Sequence, residues 1–144
     1  MSLLEATDLM TIKLYYEFKK VGEDQKLIIL EDDKAEELLL DPIEEKRVEV
    51  LETKWSPLSW KDQNDVMAAA NKNIDPVSGE RQFDFIVYRD SIIKRCLKSW
   101  DMKVNDKDVP VNASNIDKLP AKVVIKLYDK YNDRINYTED EAKN

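Results

Sequence analysis

Apolar and polar residues alternate from Thr11 to Lys19, with Ile12, Leu14, Tyr16 and Phe18 on one side and Lys13, Tyr15, Glu17 and Lys19 on the other. A period of two is the mark of a half-buried β-strand, whose successive side chains leave opposite faces. Gly22 and Asp24 supply a turn, and the compact apolar run at 26–30 then reads as a second strand, giving a β-hairpin. Residues 31–40 open with acids suited to a helix N-terminus and continue with Ala35, Leu38 and Leu39, so a short helix is expected to end before Asp41-Pro42. Val48 and Val50 set against Arg47 and Glu49 within 45–55 give a third strand, and the pattern predicts a ββαβ unit closing near Trp55. Residues 1–10 fit either a short helical turn or an arm.

Beyond Ser56-Pro57-Leu58-Ser59 the period changes to that of a helix. Ser59 and Asp62 fit a capping box that starts a helix through about Asn71, with Trp60, Val66, Met67 and Ala70 available to pack. A proline, serine and glycine segment at 73–82 reads as a surface loop. The longest regular stripe follows at 84–100: Phe85, Tyr88, Ile92, Cys96 and Trp100 at three- and four-residue steps, widened by Ile86, Ile93 and Leu97 and capped by Asp84. This stripe predicts a central helix to Trp100 that gathers Trp60 and a final helical stripe, Val124 to Ile135, into one core. Between those helices, Val104 and Val109 flank the polar residues 105–108 as a small hairpin, Asn112 or Ser114 caps a turn holding Ile116 and Leu119, and Pro120 opens the last helix. The polar end, 138–144, is expected to fray. The expected fold is α+β, with an N-terminal antiparallel hairpin or small sheet (1–55) packed on a C-terminal core of three to four helices (56–144) in one integrated domain.

Composition then narrows the chemistry. The 144 residues include no histidine, one cysteine and two glycines, which leaves imidazole-based triads, the common zinc sites and glycine-rich phosphate loops without their materials. Cys96 lies on the apolar stripe with no base to activate it and reads as a small buried hydrophobe in a reducing compartment. A net charge of −7 disfavours direct nucleic-acid binding, and no apolar run reaches membrane-span length or forms a signal peptide. The acids at 31–37 and the segment 105–108 read as a solvated helix start and a plain turn, the latter lacking the glycine and the terminal glutamate of a calcium loop. Asn112-Ala113-Ser114 and Asn136-Tyr137-Thr138 match glycosylation sequons only by their short pattern. No enzyme activity, cofactor or metal site is expected. Aromatic residues are the remaining candidates: Trp55 at the strand-to-helix junction, Trp60, and Tyr15, Tyr16 and Phe18 of the first strand form the expected protein-binding set.

From Trp55 onward the order of signals carries a resemblance. W-S-P-L-S-W-K-D-Q-N-D-V at 55–66, D-P-x-S-G-E at 75–80, Y-R-D-x-x-I-K-x-x-L-K-S-W at 88–100, V-P-V-N at 109–112, L-P at 119–120 and Y-D-K-Y at 128–131 resemble the C-terminal helical part of tailed-bacteriophage tail assembly chaperones and related small tail proteins. The resemblance covers about 55–137 and leaves the N-terminal strands outside it. It implies a non-catalytic protein of the host bacterial cytoplasm, or of the virion, that binds the helical tape-measure protein and recruits tail-tube subunits. An exposed strand edge in the N-terminal part would pair with another copy or with a tail subunit. The alternative from a different class is a small acidic inhibitor that presents carboxylates in place of phosphates to a nucleic-acid-binding protein.

Overall fold

The computed structural model describes residues 9–136. The expectations for 1–8, for the sequon reaching Thr138 and for the end at 138–144 lie outside the described residues. The first hairpin forms as the alternation requires: β1 (Met10–Val21) pairs antiparallel with β2 (Asp24–Leu30), Phe18 opposite Leu27 and Val21 opposite Asp24. The two-residue turn between them needs a left-handed conformation, and Gly22 takes it at φ 64°. A short helix α1 (Asp32–Leu39) and a single 3₁₀ turn (Glu44–Arg47) lead to β3 (Glu49–Trp55), which pairs with the other edge of β1. The ββαβ unit is thus as the sequence predicts.

The C-terminal part is helical, with helix α2 (Trp60–Ala70), α3 (Phe85–Cys96), α4 (Ala113–Lys118) and α5 (Ala121–Ile135). Their starts are fixed by side-chain caps: Ser59 Oγ accepts from the Asp62 N–H at 3.1 Å, Asp84 Oδ1 from Ile86 and Val87, and Asn112 Oδ1 from Asn115. Asp62 does not complete the expected box with its own carboxylate, which pairs instead with Arg95 at 3.2 Å. Pro120 stands one position outside α5 rather than at its first residue. The segment 73–82 is more ordered than a plain loop, since β4 (Asn73–Ile74) and β5 (Arg81–Gln82) pair across it.

The central helix is four residues shorter than its periodicity predicts. After Cys96 the chain passes directly into β6 (Leu97–Trp100), which pairs antiparallel with β3, Trp100 opposite Thr53 and Leu97 opposite Trp55, across a bulge between Lys54 and Trp55. Four residues are too few for periods of 3.6 and 2 to differ, and the unpaired edge of β3 offers a backbone ladder that settles the choice. The sheet order is therefore β2-β1-β3-β6, antiparallel throughout. A last small hairpin, β7 (Lys103–Val104) and β8 (Lys107–Asp108), turns through Asn105 and Asp106, both at positive φ, the conformation these two residue types tolerate best outside glycine.

One face of the sheet meets α3 and α5 in a core that draws on both halves of the chain, including Ile12, Leu14, Leu51, Val66, Ile92, Cys96, Leu127 and Tyr131. Trp55 sits at its centre, 0% exposed, its ring stacked on Tyr131 at 4.8 Å between centroids. The indole Nε1 donates to Thr53 Oγ1 at 2.7 Å, Thr53 Oγ1 donates to the Ile12 carbonyl at 2.7 Å, and the Tyr131 hydroxyl donates to the Ser56 carbonyl at 2.9 Å. On the opposite face α1 makes a smaller cluster, Leu30, Ala35 and Leu38, with Tyr15, Ile28 and Val48 against it. Thr53→Val keeps the volume but leaves the buried indole N–H without an acceptor, so denaturant unfolding should show a loss of about 1–3 kcal/mol with an unchanged slope.

Candidate protein-binding surface

The five aromatic candidates do not converge. Trp55 is corrected from a junction residue available to partners to the buried centre of the core, because the β3–β6 pairing and α5 close over it. Trp60 is corrected in the other direction: it is 79% exposed rather than gathered beneath the central helix. The reason is angular, since Val66 and Ala70 are the residues α2 buries and Trp60 stands about 120° round the helix from Val66. Met67, one stripe below Trp60, is exposed with it. At the start of α3, Phe85 and Ile86 are likewise exposed, while Ile92, Ile93 and Cys96 carry the buried face.

Tyr15 and Tyr16, adjacent in β1, leave opposite faces of the sheet. Tyr15 packs beside the α1 cluster with the Lys130 ammonium 5.7 Å from its ring centre. It borders a mixed-charge cavity of about 490 Å³ with Thr11, Lys13, Asp32, Glu36 and Arg134.

Tyr16 and Phe18 are brought together. Their rings meet edge-on at 5.8 Å and 85°, Tyr16 half-buried and Phe18 55% exposed. They continue the inward face of β1 past Leu14, but α5 begins only at Ala121, so the helical layer stops short of them. What remains is a groove of about 270 Å³, floored by Leu14, Tyr16, Leu27 and Leu51 and walled by Met102, Leu119, Pro120 and Val123. Asp101 and Lys103 stand on its rim. Burial first, then the neighbouring Glu49 and Asp101 carboxylates, push the Tyr16 hydroxyl above its ordinary ionisation range, so it is a neutral donor in the groove.

A second aromatic surface escapes the periodicity argument, which assigns Phe85 and Tyr88 to the core. Phe83 and Phe85 lie 5.3 Å and 6.5 Å from Tyr88, and the Arg89 guanidinium stacks 5.4 Å over Phe85. The pattern Phe83-Asp84-Phe85, which places both rings around a cap, is the signal that locates it, because a first helical turn reaches past the packed layer.

The chain's one thiol takes no part in either surface. Cys96 is buried against Tyr131, and burial raises the ionisation of both groups above their ordinary values of 9.0 and 10.0. Among the described residues no three acidic or cysteine side chains are arranged to hold a metal ion. No described helix is long and apolar enough to cross a membrane.

No protein-family model, curated protein or solved structure matches the chain. For Cys96 and Tyr131 the folded-state ionisation lies above the unfolded one, so their contribution to stability is complete below the ordinary values and is lost as pH rises through the folded ones. Denaturation midpoints should be insensitive to these groups at neutral pH and fall above about pH 10. Cys96 alkylation over the same range should proceed only at the rate of unfolding.

Proposed function

We propose that this is a non-catalytic assembly protein that acts by burying an apolar segment of a partner in the Tyr16–Phe18 groove. The observation that carries the reading is that an exposed Phe18 and a half-buried Tyr16 stand together on the inward face of a sheet, beside an apolar wall and a charged rim. Aromatic anchors in a concave apolar site with polar edges are the usual composition of a binding centre. An apolar groove with aromatic anchors suits the apolar stripe of an amphipathic helix, whose anchors recur at three- and four-residue steps.

The resemblance of 55–137 to tail assembly chaperones gives the partner class: the long helical tape-measure protein, with tail-tube subunits as second partners. On this reading the protein works in the host bacterial cytoplasm, and its retention in the virion would make it a tail or neck component. The acidic-inhibitor alternative draws less support, because Glu31 and Asp32 of the acidic run, though exposed, each have their charge offset by a lysine of α5, Lys126 and Lys130.

Co-expression with the neighbouring tail proteins should yield a complex and raise the solubility of the tape-measure protein. Neither effect appearing would sink the tail-assembly reading. Within such a complex, Tyr16→Ala and Phe18→Ala should each weaken binding by about 1–3 kcal/mol while leaving the melting transition cooperative. Trp60→Ala should leave affinity unchanged, and equal losses at all three positions would contradict the groove as the contact.

A further inference from the structure

Helix α5 carries a basic residue at every fourth position: Lys122, Lys126, Lys130 and Arg134. At 3.6 residues per turn these form one ridge. Three of the four are spent on backbone. Lys122 Nζ donates to the Leu27 carbonyl, Lys130 Nζ to the Lys13 carbonyl at 2.6 Å, and Arg134 Nη1 to the Thr11 carbonyl at 3.1 Å. Lys130 is held further by the Asp32 carboxylate and keeps only 17% of its side chain exposed.

All three carbonyls belong to one stepped edge of the sheet. β2 is the edge strand, and it covers β1 only from Tyr15 to Val21, so the stretch Thr11–Leu14 has β3 on one side and no strand on the other. The Ile12 carbonyl faces β3, where Thr53 Oγ1 donates to it. Because backbone groups alternate along a strand, the Thr11 and Lys13 carbonyls face outward. The Leu27 carbonyl of β2, whose other side is β1, faces outward by its bond to Lys122. Such an edge is a template for a further strand. Leu27, Ile28, Ile29 and Leu30 make the second half of β2 apolar, and its charged residues, Asp24 and Lys26, lie toward the turn, so the run 27–30 carries no charge of its own against pairing with the same segment of a second molecule.

We propose that the α5 basic ridge closes this edge against strand addition by a second copy of the chain. It acts through its donors, which occupy three of the carbonyls a new strand would use. Lys126, which binds the Glu31 carboxylate at 2.9 Å instead of the edge, provides an internal control.

The triple variant Lys122→Met, Lys130→Met, Arg134→Met retains apolar stems while removing the donors. Sedimentation equilibrium should show its self-association at least about tenfold tighter than that of the unmodified chain. Lys126→Met should match the unmodified chain. Adding Lys13→Pro and Gln25→Pro, at positions whose N–H groups face outward, should return the triple variant to the original state. A triple variant that folds, by circular dichroism and a cooperative melt, yet associates no more tightly would overturn the proposal. So would Lys126→Met associating as tightly as the triple variant, which would mark a general charge effect. If the triple variant does not fold, Lys122→Met alone decides, since it opens β2 only: no gain in association overturns the proposal.

Discussion

Everything in this fold hangs on what is done with Trp55. A tryptophan at the end of a strand brings a large apolar surface and one obligatory donor, and burying it requires both a lid and an acceptor. Thr53, two residues back on the same face, supplies the acceptor and passes the bond on to Ile12 in the next strand. Tyr131 supplies the lid and anchors it on Ser56. These bonds join β1, β3 and α5, so the N-terminal sheet and the C-terminal helices share one interior. The bulge beside Trp55, where β6 shifts register on β3, lets Leu97 and Cys96 enter the same core.

Once α5 is fixed by Tyr131, its two sides have different consequences. Its apolar side covers Ile12 and Leu14 but gives out before Tyr16 and Phe18, and the groove is the uncovered remainder. Its basic side runs along the sheet edge and occupies the outward carbonyls of Thr11, Lys13 and Leu27. One helix thus leaves a side-chain surface open and a backbone surface closed. That combination suits the proposed binding of a helical partner, because an open sheet edge would compete for any extended chain, its own copies included.

The elements with a long, regular pattern were legible in the sequence. The alternation of Ile12 to Phe18, the caps at Ser59, Asp84 and Asn112, and the turn at Asn105-Asp106 all rest on local rules and appear where those rules put them. What was not legible depended on partners distant in sequence. Leu97 to Trp100 carry a pattern compatible with either structure, and the edge of β3 made them a strand. Trp55 is buried and Trp60 exposed because burial depends on which side of α2 faces α3 and on whether β6 arrives. The groove pairs Tyr16 with Met102 and Pro120, residues more than eighty positions away, and no spacing rule connects them.

The central claim is that the partner enters between Tyr16, Phe18 and the Leu119–Pro120 wall. It is tested most directly by titrating the isotope-labelled protein with an amphipathic helical peptide from the proposed tape-measure partner and following backbone amide shifts. The account predicts saturable shifts concentrated at Tyr16, Phe18, Leu27, Met102 and Val123. Shifts confined to Phe83, Phe85 and Tyr88, or to the α2 face bearing Trp60 and Met67, would contradict it.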